Sequence, residues 1–323
     1  MTFHDAKALI PVASSAVPAL LAPDLDKAAD LARQEKAKAT RRAYRSDFAI
    51  FEAWCASRGV SALPATAESV AAFLACEVER GIRSSTIGRR VAAIRYAHKL
   101  AGHAVPTDDE RVKATVRGIR RTVGTAARKK APATAERVIA MAVGTGTGLK
   151  GLRDRALLLL GFAGAFRRSE LVALDCEDME ECETGLRITI RRGKTDQEGQ
   201  GATIGIVRGS IACPVAAVCQ WRDEAGITAG PLYRSIRKGG KVGGRLTDQS
   251  VADIVKAHAE RVGLDPSLFA GHSLRAGFLT SAAKRGASIF KMMDVSRHRS
   301  VDTLRGYVRD AEIFKDHAGA GLL

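Results

Sequence analysis

Acid is what this sequence is short of. Against 51 Lys and Arg it sets 35 Asp and Glu, a formal charge of +16 at pH 7. Three accounts of that surplus are open: like-charge repulsion for solubility, an anionic membrane surface, or the phosphates of a nucleic acid. Long apolar runs are also missing. The longest, Ala156 to Ala165, is far short of a bilayer crossing. No internal repeat recurs, and the 31 glycines follow no three-residue period, so solenoid and collagen readings fall. None of the six cysteines, at 55, 76, 176, 182, 213 and 219, forms a Cys-x-x-Cys pair with a nearby His partner. The first 24 residues carry one basic side chain, Lys7, and no signal-peptide core. A cytoplasmic, reduced protein with ordinary thiols is expected.

Nucleotide-binding loops are absent as well. Gly144-Thr-Gly-Thr-Gly-Leu-Lys150 has glycines before a lysine, but the spacing is wrong for a phosphate loop and no strand precedes it. Asp294 and His298 lack the carboxylate neighbours a metal would need, so no metal and no other cofactor is expected.

What is present is a chain with 46% apolar residues and room for two domains. Residues 1–24 read as a flexible tail. From about 25 the period turns helical: Tyr44, Phe48, Phe51 and Trp54/Cys55 recur at three- and four-residue steps up to Gly59. A second helix is predicted from Thr66 to Arg80 and a third, capped by Ser85 or Thr86, up to Gly102; a fourth runs from about Asp109 to Arg121. This all-α domain, 25–122, has basic polar faces, and residues 111–130 hold eight cations and no acid. Residues 123–132 read as a basic interdomain linker.

The second domain, 133–309, is predicted as mainly α, of α+β type. Leu152–Phe162 is apolar nearly all round and therefore buried. Leu186–Arg191 and Thr203–Val207 alternate like the two strands of a hairpin around the polar turn Gly193–Gly201, and helices follow. Residues 310–323 form a tail ending in two leucines.

One constellation of this second domain shares a chemical task. Arg167 sits at the polar end of a buried helix, Lys194 in the hairpin turn, and His272 and Arg275 three apart on one helix face; His298 precedes Tyr307 by nine residues. Singly each has an ordinary reading: an ion pair, a turn lysine, a helix cap, a half-buried tyrosine. Together they suit phosphodiester chemistry. Forked guanidiniums hold nonbridging oxygens, a lysine or histidine moves protons, and a tyrosine can form a phosphate ester that keeps the bond energy for religation.

At these residues the sequence resembles the tyrosine recombinase (phage integrase) family, from about residue 25 to the end. The resemblance rests on Arg167-Arg-Ser-Glu170-Leu171, His272-Ser-Leu-Arg275, His298 with Tyr307 nine residues on, and the lysine turn Arg191-Arg-Gly-Lys194. It implies a helical, SAM-like core-binding domain and a catalytic domain of the DNA breaking–rejoining type, closing as a clamp on duplex DNA. It implies that Arg167 and Arg275 clamp the scissile phosphate and that Lys194 protonates the 5′-oxygen. His272 would assist proton transfer, His298 would bond the phosphate, Glu170 would support the site, and Tyr307 would form a 3′-phosphotyrosyl link without metal or ATP. Arg167 is preferred to Arg168 because it lies three before Glu170. Thr40, Arg41, Arg42, Tyr44, Arg83, Arg89, Arg90, Arg95 and Lys99 would face DNA, mostly its phosphates.

The implied partner is double-stranded DNA with inverted half-sites, bound by a homodimer and synapsed by a homotetramer, with an accessory directionality protein as a further expected partner. The biological settings implied are recombination and integration of mobile elements. A type IB topoisomerase, or a catalytically silent DNA-binding protein of the same fold, is the alternative. The C-terminal tail either docks on a neighbouring protomer or frays. In one place the sequence departs from the family: Arg297 stands before His298 where a glycine is usual.

Overall fold

In the computed structural model the chain forms two compact units, residues 1–128 and 129–323. The structure describes residues 35–126, 130–191, 193 and 200–311, with isolated positions 21, 23, 24, 27, 28, 31, 319 and 320.

The first unit is built from four helices: α1 (Lys38–Ser57), α2 (Ala67–Glu79), α3 (Ser84–Leu100) and α4 (Glu110–Val123). Two of their starts are chemically marked. The Thr66 hydroxyl caps α2 by accepting from the Ser69 N–H at 3.2 Å, and Asp109 caps α4 through the Arg111 N–H at 2.9 Å. The third helix starts one or two residues before the expected Ser85 or Thr86 cap, with Arg83 as its N-cap and no side-chain bond there. The three- and four-residue spacing puts Phe48, Phe51 and Cys55 of α1 inside, against Val70, Phe73 and Leu74 of α2 and Ile87 and Ile94 of α3. Phe51 and Phe73 meet edge to face at 5.1 Å. Each such fully buried side chain contributes roughly 1.5–3 kcal/mol from removal of apolar area from water.

The second unit wraps around α6 (Leu149–Ala163), which follows α5 (Ala135–Val143) and precedes the short α7 (Arg168–Ala173). Ala156 through Leu160 are all buried. The expectation of an apolar surround needs one correction. Arg153 and Asp154 on α6 are buried too, because the Asp154 carboxylate accepts from Arg153 at 2.6 Å and pairs with buried His258 at 3.0 Å.

A three-stranded antiparallel sheet, β1 (Met179–Cys182), β2 (Gly185–Ile190) and β3 (Ala202–Val207), lies beside this core in the order β1-β2-β3. The expected hairpin is β2–β3, in register Leu186 with Ile206 and Ile188 with Ile204, and those four side chains point inward. Strand β1 was not predicted, since Met-Glu-Glu-Cys is half acidic and mostly exposed. Nor was the pair β4 (Arg234–Ile236) and β5 (Val242–Arg245), whose strands are short and rich in Gly and Arg.

Helices α8 (Pro214–Glu224), α9 (Asp248–Arg261), α10 (Ser273–Lys284), α11 (Ile289–Ser296) and α12 (Val301–Ala311) complete the unit. The start of α10 runs so close to the backbone of Ala133 that a Cβ on Gly277 would fall 1.7 Å from the Ala133 carbonyl oxygen. A small separate cluster, Leu279, Ala283, Met292 and Leu304, joins α10, α11 and α12. All six cysteines are free. No described helix is long and apolar enough to cross a membrane, and no metal-ligand cluster occurs among the described residues.

Candidate active site

The site is organised by the turn between α6 and α7. Gly164 must be glycine there: a Cβ would lie 2.2 Å from the Phe166 ring. Ala165 takes a positive φ of 45°. This turn offers the Ala165 carbonyl to the first turn of α10, where Arg275, only 1% exposed, donates to it from Nη1 at 2.7 Å. Its Nη2 lies 3.1 Å from Nε2 and 3.2 Å from Nδ1 of His298, over the imidazole.

Arg167 is the N-cap of α7. Its backbone N–H donates to Glu170 Oε2 at 3.0 Å and its guanidinium to Oε1 at 2.5 Å. Arg168 turns the other way, to a half-exposed ion pair with Asp248 at 3.1 Å. The two adjacent arginines, which sequence could separate only by motif position, thus part in space.

Glu170 is buried and serves two arginines, since Arg297 Nη2 reaches its Oε2 at 2.8 Å. Burial pushes the Glu170 carboxyl up, but the charges of Arg297 and Arg167 and the bonds from Arg167 prevail, holding it below the usual carboxylate range. Arg275 feels the charge of the same carboxylate without bonding to it, so one acid faces three guanidiniums. Desolvation, reinforced by the charges of Arg167 and Arg297, draws Arg275 down to about 9. Burial, together with the charges of Arg275, Arg167, His272 and Arg297, draws His298 down to about 4, so its imidazole is neutral at pH 7.

Ser296 fixes that ring: its hydroxyl lies 2.6 Å from the Met292 carbonyl and 2.8 Å from His298 Nδ1. His272, the N-cap of α10, is exposed and close enough for its charge to act on His298. Tyr307 comes from α12. Its ring packs partly on the Leu279–Met292–Leu304 cluster, so the ordinary core reading holds for that face. Burial raises its hydroxyl, and Arg275 draws it back. Arg167, Glu170, Arg275, His298 and Tyr307 are thus assembled within one unit from α7, α10, α11 and α12, with His272 at the rim.

Lys194 lies outside the described residues. On either side of it, Gly193 and Gln200 line a cavity of about 190 Å³ with Arg167, Ala202 and His298. Sequence reading missed the anchor of β2 beside it. Arg191 at the strand end donates to Asp178 at 2.9 Å and to Asp175, and Arg245 of β5 shares Asp175. Burial raises the Asp175 carboxyl, yet these arginines outweigh it and hold it low. Asp175 offers no sequence signal, since its partners are 16 and 70 residues away.

In the first unit Arg42, Arg83 and Lys99 are exposed, and Thr40 and Arg41 are half-buried. Tyr44 packs on Tyr96, ring centroids 5.5 Å apart. Arg95 pairs with Asp108. Arg89 is half-exposed but grips Asp47 bidentately, at 2.6 and 3.1 Å. Arg90 requires a correction: it is 8% exposed and paired with buried Asp47 and Glu77, so it belongs to an internal ion network and not to a DNA-facing surface. The basic run after 110 is also partly neutralised, Arg111 by Asp109 and Glu68 and Arg117 by Glu110.

Comparison with known proteins bears on both units. Residues 133–312 match the phage integrase family, and residues 28–104 match the phage integrase N-terminal SAM-like domain. The integrase/recombinase xerD homolog of Selenomonas ruminantium is 40% identical over 295 residues, covering 88% of this chain and 86% of the relative. Two solved structures share the fold. XerH site-specific recombinase bound to a palindromic difH substrate in a post-cleavage complex has a TM-score of 0.63 at 14% identity, covering 93% of this chain and 83% of that one. A lambda integrase tetramer bound to a Holliday junction has a TM-score of 0.60 at 17% identity, covering 92% and 79%. The architecture is thus a SAM-like helical domain followed by a mixed α/β domain of integrase type.

Proposed function

The chain belongs to the phage integrase family of tyrosine recombinases, and on that premise we propose that it cuts and rejoins duplex DNA at a specific site through a 3′-phosphotyrosyl intermediate. The observation that carries this reading is Arg275, a buried guanidinium sharing one carboxylate's neighbourhood with two others and acting on the Tyr307 hydroxyl. Three cations around one acid leave a surplus of positive charge in a site shielded from water. A phosphodiester brings the missing negative charge, and the pentacoordinate transition state brings more.

In the proposed reaction the Tyr307 oxygen attacks phosphorus and the bond to the 5′-oxygen breaks. Arg167 and Arg275 hold the nonbridging oxygens bidentately. His298 is neutral; when the Ser296 hydroxyl turns to Nδ1, the imidazole proton sits on Nε2 and donates a hydrogen bond to a phosphate oxygen. His272 takes the phenol proton, and Lys194 supplies one to the departing 5′-oxygen. The ester keeps the energy of the broken bond, so a 5′-hydroxyl from a second strand reverses the step without nucleotide hydrolysis. Protomers bind inverted half-sites as dimers, and two dimers synapse as a tetramer. The exposed Arg42, Arg83 and Lys99 of the helical unit contact backbone phosphates.

The test is a nicked suicide duplex carrying the site, or a genomic fragment pool where the site is unknown, scored for a covalent protein–DNA adduct. Wild type is expected to form the adduct, and Tyr307→Phe to lose it while still binding DNA. An adduct that persists in Tyr307→Phe overturns the assignment of the nucleophile.

A further inference from the structure

Arg297 occupies a position where the family usually has glycine, and its backbone shows why glycine would suit. At φ 58° and ψ 41° it is left-handed and ends α11. A large side chain in that conformation is uncommon, and here it is not directed to solvent. The side chain is 12% exposed and folds back beneath the site. Nη2 donates to Glu170 Oε2 at 2.8 Å and to the Ala165 carbonyl at 3.4 Å; Nη1 donates to the Gly164 carbonyl at 3.1 Å and to the Val295 carbonyl at 2.6 Å. The guanidinium also lies over the Phe166 ring, 5.2 Å from its centre.

Each of these partners holds another part of the site. Glu170 carries Arg167, and the Ala165 carbonyl carries Arg275. Arg297 itself is bonded in sequence to His298. We propose that Arg297 is a positioning residue, a strap that sets Arg167, Arg275 and His298 in one arrangement by tying the end of α11 to Glu170 and to the turn at 164–165. The inference rests on the phosphate-clamp reading of the site.

The strap also fits the electrostatics. The groups that face His298 are Arg275 and His272 of α10, Arg167 at the start of α7, Arg297 beside it, and the neutral Ser296 of α11. Removing Arg297 takes one positive charge from this set and leaves Arg167 as the one arginine bonded to Glu170. Protonation of His298 then becomes easier.

Arg297→Gly and Arg297→Lys separate the possibilities. Glycine keeps the left-handed backbone free of strain and removes the strap; lysine keeps the charge but cannot bridge two carbonyls and a carboxylate at once. Three readouts are taken on the full chain: the thermal melt, the rate of DNA adduct formation, and the His298 pKa by NMR titration of the labelled imidazole. For Arg297→Gly the expected result is a cooperative melt, an adduct rate lower by about 10–100-fold, and a higher His298 pKa. Arg297→Lys should keep His298 near its wild-type pKa with a rate still below wild type.

A glycine variant with wild-type rate and unshifted His298 overturns the proposal. Should the glycine variant fail to melt cooperatively, the lysine variant decides, and a wild-type rate there overturns the strap. The imidazole titration needs no DNA, so the strap can fail while the phosphotyrosyl reading stands. Conversely, absence of any wild-type adduct defeats that reading without touching the titration.

Discussion

Each unit buries arginine beside carboxylate, and the two clusters differ in their balance. In the helical unit, buried Asp47 and Glu77 meet Arg90 inside and Arg89 and Arg80 at the edge, with Arg80 and Arg89 each more than half exposed. Buried charge there is answered by buried charge, and the surplus is solvated. In the second unit one buried carboxylate, Glu170, faces Arg167, Arg275 and Arg297, whose side chains are all largely withdrawn from water. The first cluster is closed and holds helices together. The second is open, and its unmet charge is the feature a phosphate would complete. A buried arginine therefore has no single meaning; the ratio of buried acid to buried base separates the closed brace from the open cluster proposed to take a phosphate.

The sharpest way to break this contrast is to remove one arginine from each cluster. Arg275→Met should cut adduct formation by at least about 100-fold. It should leave the melt nearly unchanged, because it relieves repulsion as well as losing a bond. Arg90→Met should do the reverse, destabilising the helical unit by roughly 3 kcal/mol through the buried Glu77 it leaves under-paired. Denaturant titrations that follow each unit separately would check both. A Met at 275 that unfolds its unit as badly as a Met at 90 would erase the distinction.

Added sulfate offers a milder probe. It should raise the melting temperature of the second unit by a few degrees, about 1 kcal/mol, beyond the general sulfate effect seen in the helical unit, relative to chloride at equal ionic strength. Equal shifts in both units would mean that the open cluster attracts no anion.

Acid should weaken the second unit through His298. Its folded pKa is depressed to about 4 from a free value of 6.5, with burial first and the neighbouring cations next. The unfolded chain then takes up the proton first. That contribution to stability is intact above pH 6.5, is lost as pH falls from 6.5 toward 4, and changes no further below. His298→Asn should flatten this limb, as read by melting temperature against pH. The smallest effect expected is at Arg168→Ala. Its half-exposed pair with Asp248 contributes at most about 0.5 kcal/mol, so melt and adduct rate should both stay near wild type.

Much of the scaffold was legible because helix periodicity is local. Phe48, Phe51 and Cys55, or Val70, Phe73 and Leu74, announce an inner face without reference to anything distant. The alternation in Leu186–Ile190 did the same for β2. Strands β1, β4 and β5 escaped because their residues are mostly polar or glycine and their pairing is set by neighbours. The charge run after 110 was legible as charge, but not as charge already half engaged by Asp109, Glu110 and Glu68. Arg89 and Arg90 look alike in sequence, and the rotation of about 100° between neighbours on a helix sends the second into the interior. Arg297 was visible as a departure, yet its inward course was not.

By itself the sequence determined the helices, the hairpin, the two-domain division of the apolar pattern, and the set of residue types able to handle a phosphodiester. The helices and the hairpin are written in steps of two, three or four residues. The tertiary structure alone decided which cations meet. Arg275 finds its carbonyl 110 residues away, and Arg297 reaches a carboxylate 127 residues away. A guanidinium is stable out of water only where distant chain brings an acceptor to it, and that meeting is a property of the packed interior.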